Sequence, residues 1–120
     1  MGLTIEQIAH AISGHDFQRA YPYLADDVLW NQVGEARLSG KGEVIGAFER
    51  SAAYLAGVAT DFHQFRSLVA SDWVVIESLA SYTDEAGAVS MVASCDIYDF
   101  RAGKLSAMSS YNVEVHDSVQ

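Results

Sequence analysis

Val89-Ser90-Met91-Val92-Ala93-Ser94-Cys95-Asp96-Ile97-Tyr98-Asp99-Phe100, then Arg101-Ala102-Gly103-Lys104, then the run from Leu105 to Val115, is the stretch that decides the fold. Both long runs are strand-like, and the four residues between them are a tight-turn signal. The same texture extends backwards. Trp73 to Tyr82 is strand-like, Asp84-Glu85-Ala86-Gly87 is a turn signal joining it to Val89, and Phe62 to Val69 forms an earlier strand-like run. From Gly57 onward the hydrophobic period is about 2, whereas before Gly57 it is the helical period of about 3.6.

Residues 4–14 read as an amphipathic helix, with Ile5, Ile8, Ala9 and Ile12 at helical spacing. Thr4 is placed to cap it, Gln7 three residues on completes a partial capping box, and Gly14 stops it. Asp16 is placed to cap a second short helix running through Tyr23 and Leu24. Pro22 sits late for that helix, which is therefore short or ends near Tyr21. Val28 to Val33 reads as a short strand and Gly34 to Gly42 as loop. A third helix runs from about Gly42 to Ala56, with Val44, Ile45, Phe48, Ala52 and Leu55 on one face and Gly57 at its end. Three helices followed by long strands joined by tight turns define an α+β chain with a mostly antiparallel sheet.

Composition narrows the function classes. The 120 residues fit one domain spanning 1–120, and a hydrophobic fraction of 50% is enough for a core at this length. Charged residues make up 19%, which argues against disorder. Sixteen acidic residues against seven Lys and Arg give a formal charge of -9, which argues against nucleic acid and anionic membranes as partners. Cys95 is the single cysteine, so no intrachain disulfide is expected and a reducing cytoplasm is the simple inference. Its place in an apolar run reads as a small packed hydrophobe. The N-terminus lacks the basic start and apolar run of a signal peptide, and no stretch approaches a membrane span.

Several stretches resemble the nuclear-transport-factor-2-like superfamily, in particular its SnoaL-like branch. Tyr23-Leu24-Ala25-Asp26-Asp27-Val28 is similar to that family's approach to its first strand. Gly40-Lys41-Gly42-Glu43-Val44-Ile45 resembles the start of its third helix, and Asp96 to Phe100 with Gly103-Lys104-Leu105 resembles its fourth-strand, turn, fifth-strand signature. The likeness covers nearly the whole chain. It implies three N-terminal helices packed on a strongly curved, mostly antiparallel sheet, a cone-shaped α+β barrel enclosing an internal pocket. It also implies a homodimer built on the convex sheet face. Apolar residues on both faces of the long strands, Met91, Ala93 and Ile97 opposite Val92, Tyr98 and Phe100, agree with that. The fold hosts isomerases, dehydratases, epoxide hydrolases, cyclases and non-catalytic adaptors, so activity has to come from the site.

Asp96 is the first candidate. Alternation places Ser94, Asp96, Tyr98 and Phe100 on one face, and the aromatic residues mark that face as inward. An inward carboxylate must be paired, hydrogen-bonded or protonated, and desolvation raises its pKa toward a value suited to acid/base work. A structural aspartate bonded to backbone or tyrosine is the competing account. The resemblance implies that Asp96 matches the oxyanion-donating aspartate of steroid-isomerase-like members, an enzyme long used to illustrate a carboxyl kept neutral by an apolar site. Trp30 and Gln32 share one strand face, where epoxide-hydrolase-like members hold their attacking water; Gln32 orients a ligand but is no base. His63 is the best intrinsic general base by its pKa, against a structural or exposed alternative. Tyr54, Phe62, Tyr98 and Met108 are candidate pocket lining, or ordinary core. Two readings stand for Glu77: facing the pocket opposite Asp96, or lying on the convex face and pairing with Arg66 across a dimer.

The departures from the family are as informative. Asn31 or Gln32 stands where a steroid isomerase carries its aspartate base, and Ile8 where it carries a tyrosine. Ser94 stands in place of the arginine of an epoxide hydrolase's Asp-Arg-Asp set, and Val113 near its second aspartate. No H-E-x-x-H spacing, Gly-rich phosphate loop or G-x-S-x-G elbow occurs. The expectation is a small-molecule site without metal or cofactor for an apolar cyclic ligand, doing isomerase, cyclase, dehydratase or hydrolase chemistry with Asp96 and His63. The alternative is a non-catalytic binding or dimerisation module.

Overall fold

The computed structural model describes residues 2–116. Along the chain run α1 (Ile5–Ser13), a 3-10 helix (Phe17–Tyr23), β1 (Leu24–Gln32), β2 (Ala36–Ser39), α2 (Lys41–Leu55), β3 (Ala59–Ala70), β4 (Trp73–Thr83), β5 (Val89–Arg101) and β6 (Lys104–Val115). The six strands form one sheet in the order β2-β1-β6-β5-β4-β3, with β1 and β6 parallel and every other pair antiparallel. This is the expected α+β architecture of helices on a mostly antiparallel sheet.

Local chemistry explains the element ends. Gln7 donates its backbone N–H to the Thr4 hydroxyl at 3.1 Å, and the Thr4 N–H donates to the Gln7 side chain at 2.9 Å, so the capping box is complete. The Arg101–Lys104 turn carries Ala102 and Gly103 at φ 53° and 79°, the doubly left-handed pair that a two-residue hairpin of right-handed strands requires. Two expectations are corrected here. The second helix is a 3-10 helix with Pro22 inside it, because a helix this short and tight tolerates a ring that an α-helix interior rejects. The stretch read as loop holds β2, a four-residue hairpin partner of β1 pairing Leu29 with Ser39 and Gln32 with Ala36.

Two β-bulges bend the long antiparallel strands, and the β1–β6 register also shifts between Leu24 and Leu29. In β3 the register slips between Phe62 and Gln64, leaving His63 as the extra residue; in β6 it slips between the partners of Asp99 and Phe100, leaving Ser106. On the concave side α1 packs over β4 and β5, and α2 over β1 and β2. Phe48 of α2 is fully buried and stacks on Phe17 at 5.0 Å between ring centres, with Trp30 at 5.0 Å on a tilt. Ile8, Ile12, Val28, Val44, Val74, Ile76 and Leu105 complete the core.

Candidate functional site

Between the helices and the concave face of the sheet lies a cavity of about 570 Å³. That volume is in the range of small-molecule sites. Its depth is graded by exposure. Tyr98, Met108, Ser13, Ser78 and Ser110 are buried, whereas Glu35, Arg50 and Tyr54 stand exposed at the mouth, Tyr54 at 67%. Five successive even-numbered residues of β5, Ser90, Val92, Ser94, Asp96 and Tyr98, face it, as strand alternation requires.

Asp96 is the chemical centre of this cavity. Ser13, the last residue of α1, donates its hydroxyl to Asp96 Oδ2 at 2.7 Å. Ser13 Oγ also lies 2.6 Å from the Tyr98 hydroxyl, and its one hydrogen is already committed, so Tyr98 is the donor of that second bond. From the other side Trp30 Nε1–H donates to Ser110 Oγ at 2.9 Å. Ser110 stands directly opposite Asp96 in the β5–β6 ladder, and its neighbouring hydroxyl favours the ionised form of the carboxyl. Two relays therefore converge on one carboxyl: Tyr98 through Ser13, and Trp30 through Ser110.

Every one of these donors is neutral, and none of the ion pairs among the described residues involves Asp96. Desolvation by burial pushes the Asp96 pKa above the usual carboxylate range, and the Ser13 and Ser110 hydroxyls pull part of that shift back. Tyr98 is raised further, by burial first and by the neighbouring Asp96 second. Toward the mouth, burial raises Tyr82, with the Asp96 charge contributing, and burial lowers His15.

Six of the expected residues face the cavity together: Asp96, Trp30, Gln32, Tyr54, Tyr98 and Met108. Two do not. His63 is the bulged residue of β3, and because it follows inward Phe62 its ring faces outward, where Nε2 lies 2.9 Å from Ser81 Oγ on the exposed face. Phe62 faces the helices but stays behind the cavity wall, packed on His15 at 5.3 Å and Phe65 at 5.3 Å. Glu77 lies on the convex face and closes a pair with Arg66 of the same chain, Nε to Oε1 at 2.6 Å, so the partner expected across a dimer is the neighbouring strand. The lining is also less apolar than expected: six serines (13, 51, 78, 90, 94 and 110) face the cavity beside its aromatic rings.

Ser13, His15, Ser110 and Tyr82 line the cavity without having been singled out. Ser13 was within reach, since it falls four residues after Ala9 on the buried stripe of α1. Ser110 was not, because a regular hairpin closed at Arg101–Lys104 puts Ser109 opposite Asp96, and only the Ser106 bulge brings Ser110 there. Among the described residues no three His, Cys, Asp or Glu side chains gather in a metal-binding arrangement.

Comparison with known proteins agrees with this geometry. Residues 5–108 match the SnoaL-like domain family, and the chain belongs to it. An NTF2-like protein of unknown function from Cytophaga hutchinsonii is 27% identical and superposes with a TM-score of 0.80, over 90% of this chain and 95% of its own. A Mesorhizobium loti protein proposed to be a SnoaL-like polyketide cyclase is 17% identical, with a TM-score of 0.64 over 89% of this chain and 94% of its own. An LEH-like epoxide hydrolase from M. tuberculosis is 18% identical, with a TM-score of 0.65 over 91% of this chain and 79% of its own. No protein of curated function matches the sequence. No described helix is long and apolar enough to cross a membrane.

Proposed function

We propose that this SnoaL-like domain binds a small cyclic molecule carrying a carbonyl or similar oxygen, and acts on it by cofactor-independent acid/base chemistry with Asp96 as acid or oxyanion donor. The observation that carries the reading is the convergence of two neutral relays on Asp96 inside the cavity. A carboxyl held only by hydroxyls and short of water keeps its proton to higher pH than a free one, and a neutral carboxyl donates a hydrogen bond where charge develops on a ligand oxygen. Trp30 and Met108 supply flat apolar contact; Gln32 and the serines supply orienting groups at the ligand's edge.

Within the reactions of this fold, isomerisation, cyclisation and dehydration fit better than epoxide opening. The epoxide hydrolase and the polyketide cyclase assignment among the structural neighbours belong to those proteins. Here no arginine pairs with Asp96, and Val113 is exposed at 63% on the convex face, away from the cavity. The convex face supports a homodimer: Leu68, Trp73, Tyr111 and Val113 are exposed there, around half-buried Val75, Leu79, Ala93 and Ile97. A single thiol fits a reducing compartment such as the cytoplasm.

The test is a thermal-shift screen of cyclic ketones, lactones, epoxides and steroids against the wild type and Asp96→Asn. A ligand that binds the folded state raises the melting temperature by mass action. Stabilisation by an oxygen-bearing ring that weakens in the variant supports the reading. Stabilisation that is equal in both proteins removes Asp96 from the site and leaves a binding module.

A further inference from the structure

Helix α1 ends in an unusual way. The Asp16 N–H donates to Ala11 O at 2.7 Å and the His15 N–H to Ile12 O at 3.1 Å. These are the two bonds of a Schellman motif, and the residue they enclose must be left-handed. Glycine normally fills that place because it alone bears positive φ without cost. Here the place is held by His15, at φ 73°, while the chain's nearby glycine is spent one residue earlier. Gly14 has its own reason: a Cβ there would lie 2.8 Å from His10 O. A strained, non-glycine residue held by its surroundings points from structure toward function.

The His15 ring meets no side-chain hydrogen-bond partner among the described residues. It lies between three aromatic rings, Phe62 at 5.3 Å, Phe17 at 5.9 Å and Tyr82 at 6.0 Å, and faces the cavity. Ser13, two residues earlier on the same helix end, holds Asp96. One turn of chain thus delivers both a hydroxyl to the acid and an imidazole to the same cavity.

We propose that His15 is the base of this site, taking a proton from a ligand carbon next to the carbonyl that Asp96 polarises. The proposal rests on the reading of Asp96 given above. In the step, an imidazole nitrogen takes the hydrogen as a proton and the C–H electron pair becomes the new C=C bond. The carbonyl π pair moves to oxygen, which takes the Asp96 proton. Return of the imidazolium proton to that carbon, or in a ligand with a further C=C conjugated to the enol to the far end of that C=C, forms the new C–H bond from the π pair while the enol proton goes back to Asp96 and the carbonyl reforms; both groups are restored. The ligand class is an enolisable cyclic ketone. Burial lowers the His15 pKa below its ordinary 6.5, so the ring stays neutral at physiological pH. The titratable or charged groups that line the cavity with it are Glu35 ahead of β2, Arg50 and Tyr54 on α2, Tyr82 on β4, and Asp96 and Tyr98 on β5.

The experiment follows hydrogen exchange of α- and β-tetralone in heavy water by NMR, with thermal shift on the same samples, for wild type, His15→Asn, His15→Gly and Asp96→Asn. Asn and Gly both accept the left-handed backbone, so these variants keep the helix end. Exchange is expected to fall about a hundredfold or more in His15→Asn with the thermal shift retained. Added imidazole should restore part of it in His15→Gly. The wild-type rate should fall as pH drops below 6.5 through the lowered pKa, a limb absent from His15→Asn. Undiminished exchange in His15→Asn overturns His15 as base and leaves Asp96 standing. Stabilisation without exchange overturns proton abstraction but not binding. No stabilisation by either tetralone overturns both this proposal and the ketone-binding reading beneath it.

Discussion

Asp96 lies on β5 between the Ser13 hydroxyl, which donates to it, and the Ser110 hydroxyl beside it. A hydroxyl stabilises a carboxylate without cancelling its charge, so the desolvation cost of the ionised form remains. The sign of the consequence follows from linkage. With a folded-state pKa above the ordinary value near 3.8, the folded chain holds a proton that the unfolded chain has lost. Stability therefore declines as pH rises from that value through the raised pKa. Asp96→Asn keeps the shape of the neutral acid and cannot ionise. Its melting temperature relative to wild type should climb between acid and neutral pH, and parallel profiles would contradict the assignment. Asp96 was legible as an inward acid from alternation with Tyr98 and Phe100. The histidine was not. His63 looked suitable by type, but it follows inward Phe62 on the strand and so faces away from the cavity. His15 carries no mark in the sequence, because its left-handed backbone is visible only in the structure.

Elements place these side chains, and the end of α1 is the most constrained. Gly14 leaves no room for a Cβ beside His10 O, and the next residue must turn left-handed. Gly14→Ala should cost about 1–3 kcal/mol in denaturant unfolding, because backbone must shift rather than a side chain. The same shift should displace Ser13 and His15, so any ligand-induced thermal shift should shrink along with stability. A variant as stable as wild type would mean that the helix end relaxes without strain. The elements themselves were largely readable. Capping at Thr4, the stripe of α1, the break at Gly57 and the hairpin at Ala102-Gly103 are local signals with local causes. β2 was missed because its four residues, Ala36-Arg37-Leu38-Ser39, carry no apolar alternation; pairing with β1 makes it a strand.

At the scale of the molecule the sheet has two faces with different tasks. The concave face carries the helices and the cavity, and the convex face leaves apolar side chains uncovered, Leu68 at 69% exposure among them. Patches of this kind mark association surfaces. Light scattering after size exclusion should give twice the chain mass, and Val113→Asp with Leu68→Lys should shift it to the monomer with the cavity's ligand response unchanged. A wild-type monomer at high concentration would refute the dimer. The polar character of the cavity was not legible in the sequence: serines are weak markers there and gain meaning only when six converge.

That convergence has a consequence for how such a domain changes over time. Four of the six serines sit on strands, where the ladder fixes the backbone on both sides at Ser78, Ser94 and Ser110 and on one side at Ser90. Ser110 is tied to Trp30 and Asp96, but the other three are positions where a side chain grows or shrinks by an atom or two beside the cavity. Ligand size and polarity are therefore adjustable one position at a time, while Asp96 and the helices that hold it stay in place. A sheet of this design is an evolvable template, with its selectivity written in small residues that are easily exchanged and its scaffold in large ones that are not.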